Sequence, residues 1–173
     1  MNKLILLAGV LSTCLFLLCA CAQVNLYAPM SIENFNLAAI VPLGIKADKV
    51  LNNWQSNTLY AMNDKNQEIY IFREGERKNV LGGLGSSNVN FQYLADIATG
   101  SDNCLYVLDS SAKSVKKFSS DGIPYGSIEL KGSVQPKCLC VYQDQGLFIF
   151  DAASGEIINY SGIDGTELNR FGR

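Results

Sequence analysis

The chain has 173 residues, 48% of them hydrophobic, with 14 basic and 16 acidic side chains and a formal charge of −2. It contains no histidine, which removes imidazole acid–base catalysis, Ser-His-Asp triads and imidazole metal sites. No basic stripe or arginine cluster offsets the mild negative charge, so nucleic acid is not an expected partner.

The first segment reads as an address rather than as part of the fold. Asn2 and Lys3 form a short basic start, and Leu4 to Ala20 is apolar apart from Ser12 and Thr13 and ends in small residues. That is the pattern of a secretory signal, and it falls short of the roughly 20 apolar residues of a spanning helix. The segment closes on Leu18-Cys19-Ala20-Cys21, which resembles the bacterial lipobox, a Leu at −3 and a small residue at −1 before the cysteine. The resemblance implies cleavage after Ala20, thioether lipidation of Cys21 and a bacterial cell envelope location. Ala22 rather than aspartate follows the cysteine, which by the same rule implies the outer membrane, periplasmic or surface face, over the inner. Stable anchoring takes more than one acyl chain, and bacterial lipoproteins carry two or three. Cys19 fits less well because Leu18 is bulky at −1. The alternative is an ordinary signal peptide with incidental cysteines. The expected organisation is thus a signal over 1–20, a lipidated tether over 21–34 and one repeat domain over 35–173.

Within that domain one phrase returns three times. Leu59-Tyr60-Ala61-Met62-Asn63 recurs as Leu105-Tyr106-Val107-Leu108-Asp109 and as Leu147-Phe148-Ile149-Phe150-Asp151, at spacings of 46 and 42 residues. Periods of this length mark propeller blades or helical arrays. Downstream, Ile69 and Phe72 match Val115 and Phe118, then Ile157 and Tyr160; upstream, Leu51, Ile97 and Leu139 occupy one register. The apolar runs are short, β-branched or aromatic, and bounded by Gly, Asn, Asp or Ser, which reads as strand. Helical spacing is sustained nowhere. Four strands per repeat are expected, with repeats over roughly 44–90, 91–133 and 134–173; in the last they are Lys137–Tyr142, Gly146–Ala152, Glu156–Tyr160 and Glu167–Phe171. Asp102-Asn103, Asp121-Gly122, Asp144-Gln145-Gly146 and Asp164-Gly165 supply turn chemistry. The second strand of the middle repeat is apolar on both faces, Leu105 and Val107 on one and Tyr106 and Leu108 on the other, as for a sheet covered on both sides.

The succession Leu-Tyr-Val-Leu-Asp at 105–109, Val115-x-x-Phe118 and Ser120-Asp121-Gly122 resembles NHL-type repeats of six-bladed β-propellers. The resemblance covers 44–173 and implies an all-β, β-propeller-like array of about three four-stranded antiparallel blades. Propellers have four to eight blades, so this array is expected to be incomplete or open. Leu37–Leu43 reads as a lone outermost strand lacking its blade. The array is then the front part of a longer or interrupted gene, one half of a pair of three-bladed copies, or an open wedge capped by its own tail or a partner.

Asn63, Asp109 and Asp151 end the second strand of each blade, where short polar side chains bond turn backbone. Repetition assigns them to structure, and no catalytic residue, metal site or cofactor is expected. Gly82-Gly83-Leu84-Gly85-Ser86-Ser87 lacks phosphate-loop spacing and reads as a flexible connection between blades. Arg73 to Lys78 reads as a solvated hairpin turn. Cys104, Cys138 and Cys140 read as small buried hydrophobes, with Cys138 and Cys140 on one strand face and unable to bridge each other; the alternative is a bridge involving Cys104, which an oxidising envelope permits. Trp54 and the eight tyrosines read as either a recognition surface or blade packing, most of them as packing.

The expected function is that of a membrane-anchored envelope lipoprotein serving as a non-enzymatic binding or scaffold module. Its partners are the membrane, through the lipid, and a protein partner or second copy that completes the propeller. Engagement runs through rim loops or strand addition at an exposed edge. The alternatives are a calcium-dependent, lactonase-like hydrolase that needs further blades, and a truncated propeller without independent activity.

Overall fold

A computed structural model describes residues 42–133, 135–143 and 146–172. The signal segment, Cys21, the tether, and Asp144 and Gln145 of one expected turn lie outside the described residues. Of the expected strand Leu37–Leu43 only Pro42 and Leu43 are described, and neither is in a strand.

The described residues of the repeat domain fold as three separate four-stranded antiparallel sheets. Blade 1 comprises β1 (Lys49–Asn53), β2 (Thr58–Asn63), β3 (Glu68–Arg73) and β4 (Glu76–Gly82). Blade 2 comprises β5 (Leu94–Thr99), β6 (Leu105–Asp109), β7 (Ser114–Phe118) and β8 (Pro124–Glu129). Blade 3 comprises β9 (Pro136–Tyr142), β10 (Gly146–Asp151), β11 (Glu156–Ser161) and β12 (Glu167–Phe171). Strands pair in chain order within each blade, and the four predicted for the last repeat agree with β9–β12 to within a residue at each end.

Two apolar cores lie between the sheets. Tyr60, Met62, Ile69 and Ile71 of blade 1 pack with Ile97, Leu105, Val107 and Phe118 of blade 2. The opposite face of blade 2, with Tyr106, Leu108 and Val115, packs with Leu139, Leu147, Ile149, Ile158 and Tyr160 of blade 3. Every residue of β6 is buried, and its alternating side chains divide between the two cores as the doubly apolar strand requires. Burying one such side chain contributes about 1.5–3 kcal/mol, so neighbouring blades supply each other's stability. Among the described residues three tyrosines are fully buried and satisfy their hydroxyls: Tyr60 donates to Ser120 O at 3.3 Å, Tyr106 to Asp102 Oδ2 at 2.9 Å and Tyr160 to Lys131 O at 3.1 Å. Trp54 instead is 80% exposed and takes no part in blade packing.

The common register of Leu51, Ile97 and Leu139 fails in blade 1. Ile97 pairs with Val107 and Leu139 with Ile149, but Leu51 pairs with Tyr60 rather than Ala61. An even number of residues separates the paired ends Asn53 and Thr58 of β1–β2, whereas an odd number separates Thr99 from Leu105 and Tyr142 from Gly146 in the other two hairpins. The resulting one-residue slip turns a side chain to the other face. Leu51 therefore packs on the first core beside Tyr60, and Val50 points away, 53% exposed.

Turn chemistry follows the expected residues where they are described. Asn103, Gly122 and Gly165 have φ of 63°, 89° and 70°. Glu74 and Gly75, φ 53° and 78°, make the two-residue β3–β4 turn with both central residues left-handed, the twist-matched hairpin form. Arg73 is not merely solvated: it pairs with Asp121 Oδ1 at 2.6 Å and donates to Thr58 Oγ1 at 2.8 Å and Ser120 Oγ at 3.0 Å, tying blade 1 to the β7–β8 turn.

The glycine-rich connection is pinned rather than flexible. Gly83 N donates to Gln67 O at 2.7 Å, Phe91 N to Gly83 O at 3.1 Å and Gly85 N to Phe91 O at 3.0 Å. A Cβ on Gly82 would stand 2.2 Å from Gln67 O and 2.7 Å from the Phe91 ring. The glycine is there for close approach, not for mobility.

Of the described cysteines, Cys138 and Cys140 depart from expectation and Cys104 does not. Cys104 is buried and makes no disulfide, but Cys138 and Cys140 are exposed, sharing the far face of blade 3 with Phe150, Ile157 and Phe171, themselves 36–49% exposed. They occupy the face that in blade 2 is covered by its neighbour; among the described residues nothing covers it in blade 3, and the array is open there.

At the β5–β6 turn, Asp102 Oδ2 meets Lys117 Nζ at 2.6 Å, and Cys104 N donates to Asp102 Oδ1 at 3.1 Å. Burial pushes the Asp102 carboxyl up, but Lys117, the Cys104 amide and the Tyr106 hydroxyl outweigh it and hold the carboxyl below its ordinary 3.8. Asp151 is lowered in the same way, burial being outweighed by the Gln135 amide and the groups of Ser133 and Ser154. A carboxyl whose folded pKa is lowered stabilises fully above its unfolded value and loses that contribution as pH falls through the folded value. Unfolding free energy is therefore expected to decline below about pH 4, and Asp102→Asn is expected to make that decline shallower. An unaltered acid limb in Asp102→Asn, read by urea titrations across pH, would contradict the assignment.

Candidate functional site

The second strand of each blade ends in a short polar residue that fastens two pieces of backbone. Asn63 Oδ1 accepts from Asn66 N at 2.9 Å, and its Nδ2 donates to Lys46 O at 3.0 Å. Asp109 accepts from Gln92 N (2.8 Å), Tyr93 N (3.0 Å) and Ala112 N (3.1 Å). Asp151 accepts from Ser133 Oγ (3.1 Å), Gln135 N (2.5 Å) and Ser154 N (3.2 Å). Each joins the turn that follows its strand to the segment leading into its blade, which is the structural role their repetition indicates. Lys116 is buried beside Asp109, 3.7 Å away, and donates to Ser87 O at 2.9 Å and to Asn90 O. It lies 5.4 Å from the Phe91 ring centroid, so one buried cation ties the blade 1–2 connection to blade 2.

These fasteners build one rim, and a cleft of about 690 Å³ runs across it. Blade 1 contributes Met62 and Asp64; blade 2 contributes Tyr93, Leu94 and Ala95 with Ser110, Ser111 and Lys113 of the β6–β7 turn. Blade 3 contributes Gln135, Pro136, Lys137 and Ala152. Apolar side chains and polar groups from three blades thus converge in a volume typical of ligand clefts.

Near this rim the repeat is broken by Asp96, which takes the place of Val50 and Cys138 in the other blades. The register of β5 against β6 shifts between Leu94 and Asp96. Asp96 is 7% exposed. Its Oδ1 receives Lys49 Nζ from blade 1 and the Ile97 amide at 2.9 Å, and its Oδ2 receives Leu139 N from blade 3 at 2.8 Å. Lys49 also donates to Ile97 O at 3.1 Å. One carboxylate therefore clasps the inner strands of all three blades. Sequence reasoning passed over Asp96, Lys49, Lys113 and Lys137. For Asp96 the signal was present, since aligning the repeats sets a carboxylate against Val and Cys.

Among the described residues no group of three or more Asp, Glu or Cys side chains stands where it could hold a metal ion. Cys21, the expected lipidation site, lies outside the described residues.

No protein-family model matches the sequence, and no curated protein matches it. Solved structures do resemble its fold. A chain of a nidogen/laminin complex matches with a TM-score of 0.57 at 15% identity, over 72% of this chain and 46% of that one. U3-55K matches with 0.56 at 11% identity, over 70% and 38%. A catalytically inactive virginiamycin B lyase from Staphylococcus aureus, solved with quinupristin, matches with 0.52 at 13% identity, over 63% and 36%. The chain spans less than half the length of each of these. At such identities the likeness concerns fold alone, and it agrees with the geometry: the described residues form an all-β, propeller-like array of three four-stranded antiparallel blades.

Proposed function

We propose that this chain is a lipid-anchored protein of the bacterial envelope whose blades, NHL-type by sequence, serve as a non-enzymatic binding scaffold. The observation that carries the reading is the cleft assembled from three blades on one rim, its loops held by Asn63, Asp109 and Asp151. A surface pre-ordered by buried hydrogen bonds loses little entropy when it binds, which suits recognition of a partner segment. The lipobox at Leu18 to Cys21 supports the anchor, which raises effective concentration at the membrane.

Cys21→Ser is expected to move the protein from the membrane fraction to the soluble fraction; continued sedimentation with membranes would contradict the anchor. A photoreactive side chain in place of Ser111, on the cleft, is expected to form a discrete cross-link in cells. The same group in place of Glu129, on the outer strand β8, is expected not to. Equal cross-linking from both positions would contradict a binding rim.

A further inference from the structure

Among the described residues the cleft is lined by two lysines against one aspartate, in a protein whose net charge is negative. Lys113 and Lys137 line it, both exposed, and among the described residues neither is in an ion pair. Lys49, Lys78, Lys116 and Lys117, by contrast, each have a carboxylate partner. Among the described residues Asp64 is the only acidic residue lining the cleft.

The repeat shows that this turn does not require a lysine side chain at 113. Gln67, Lys113 and Gly155 hold one position in the three blades at the 46- and 42-residue spacings, and all three are left-handed, with φ of 60°, 48° and 72°. Gln67 works for the structure: it is buried, donates to Asp64 O and accepts from Leu94 N. Gly155 takes the conformation without a steric penalty. Lys113 takes it against the preference of a long side chain and is exposed where it lines the cleft. The Lys113 backbone serves the turn, its N donating to Ser110 O at 3.3 Å and its O accepting from Leu130 N at 2.8 Å. Among the described residues, however, no hydrogen bond or ion pair uses its side chain, and a strained lysine whose side chain the fold does not use points toward function.

We infer that the cleft binds a carboxylate-bearing ligand, with Lys113 and Lys137 as its charge partners and the Ser110 and Ser111 hydroxyls beside them. The apolar floor of Met62, Leu94 and Pro136 receives the hydrocarbon that carries the carboxylates. Acidic side chains of an extended peptide and a free polycarboxylic acid present the same chemistry. The inference rests on the reading of this rim as the working surface.

The test uses the full chain in detergent with a labelled hexaglutamate peptide, hexalysine as the charge control and citrate as competitor. Hexaglutamate is expected to bind in a salt-sensitive manner and hexalysine not to. The double variant Lys113→Gly, Lys137→Gln is expected to weaken hexaglutamate binding about tenfold, two ion pairs being lost together. Lys65→Gln, exposed and off the cleft, is expected to leave it unchanged. Lys113→Gly copies Gly155 and relieves the backbone, so its unfolding midpoint is expected to match or exceed that of the parent, and a loss of binding is then not a loss of fold. Displacement of the peptide by citrate supports the site and assigns it to free acids; failure of citrate to displace a bound peptide supports it and assigns it to acidic segments. Absence of binding by both probes, or binding indifferent to the double variant, overturns the inference. Should cross-linking from Ser111 persist in that event, the rim remains a binding surface and only its carboxylate preference is lost.

Discussion

Phe118→Ala is expected to lower the unfolding free energy by about 3–5 kcal/mol, the usual cost of removing a fully buried phenylalanine. Phe118 has no exposed surface and belongs to the core between blades 1 and 2. Its ring meets Phe91 edge to face, with centroids 6.2 Å apart and planes at 75°. Phe91 in turn closes on Gly82 and anchors the glycine-rich connection, so the cavity left by alanine touches two sheets and the segment joining them. Urea denaturation reads the difference. A loss below about 1 kcal/mol, a value typical of half-exposed sites, would mean that the two sheets do not depend on this contact.

Asp96→Ala is expected to cost about 2–4 kcal/mol, because two buried amides, those of Ile97 and Leu139, lose their acceptor at once. Lys49→Met should cost less, since the Lys49 side chain is 38% exposed and the pair is partly hydrated. Asp96→Asn keeps one acceptor oxygen and should fall between the two. Because the carboxylate touches three blades, its loss is expected to loosen blade 3 as well as blade 2. If Asp96→Ala unfolds at the parent's urea concentration, the clasp has no energetic role.

Much of this architecture was legible because a repeated phrase reports a repeated environment. Leu105, Val107, Tyr106 and Leu108 announced that β6 is covered on both faces, and the two cores divide them as alternation requires. The Asp-Gly and Asp-Asn turns, set by local backbone preference, were legible for the same reason. What stayed hidden depends on the parity of a turn or on packing across blades. Leu51 changed faces because its hairpin closes over an even number of residues, although its spacing from Leu59 equals that of Ile97 from Leu105. The Gly82–Ser87 segment looked loose because composition does not reveal that the Phe91 ring and Gln67 carbonyl occupy the space a side chain would need. Cys138 and Cys140 resemble core residues by periodicity, and only the uncovered face of blade 3 leaves them in solvent. The cleft was least visible, since Lys113 and Lys137 lie in different blades and acquire meaning only when the sheets stand side by side.

That juxtaposition is what amide hydrogen exchange measures most directly. If each blade is stabilised by its neighbours, the amides of β6, buried on both sides, exchange only through global unfolding, while those of the exposed strand β12 exchange through local opening. The expected result is that Tyr106, Val107 and Leu108 are the slowest of the described residues, and that Phe118→Ala accelerates them together with blade 1. Exchange in β6 as fast as in β12, or unaffected by Phe118→Ala, would show that the sheets are stable singly and would contradict the stacked array.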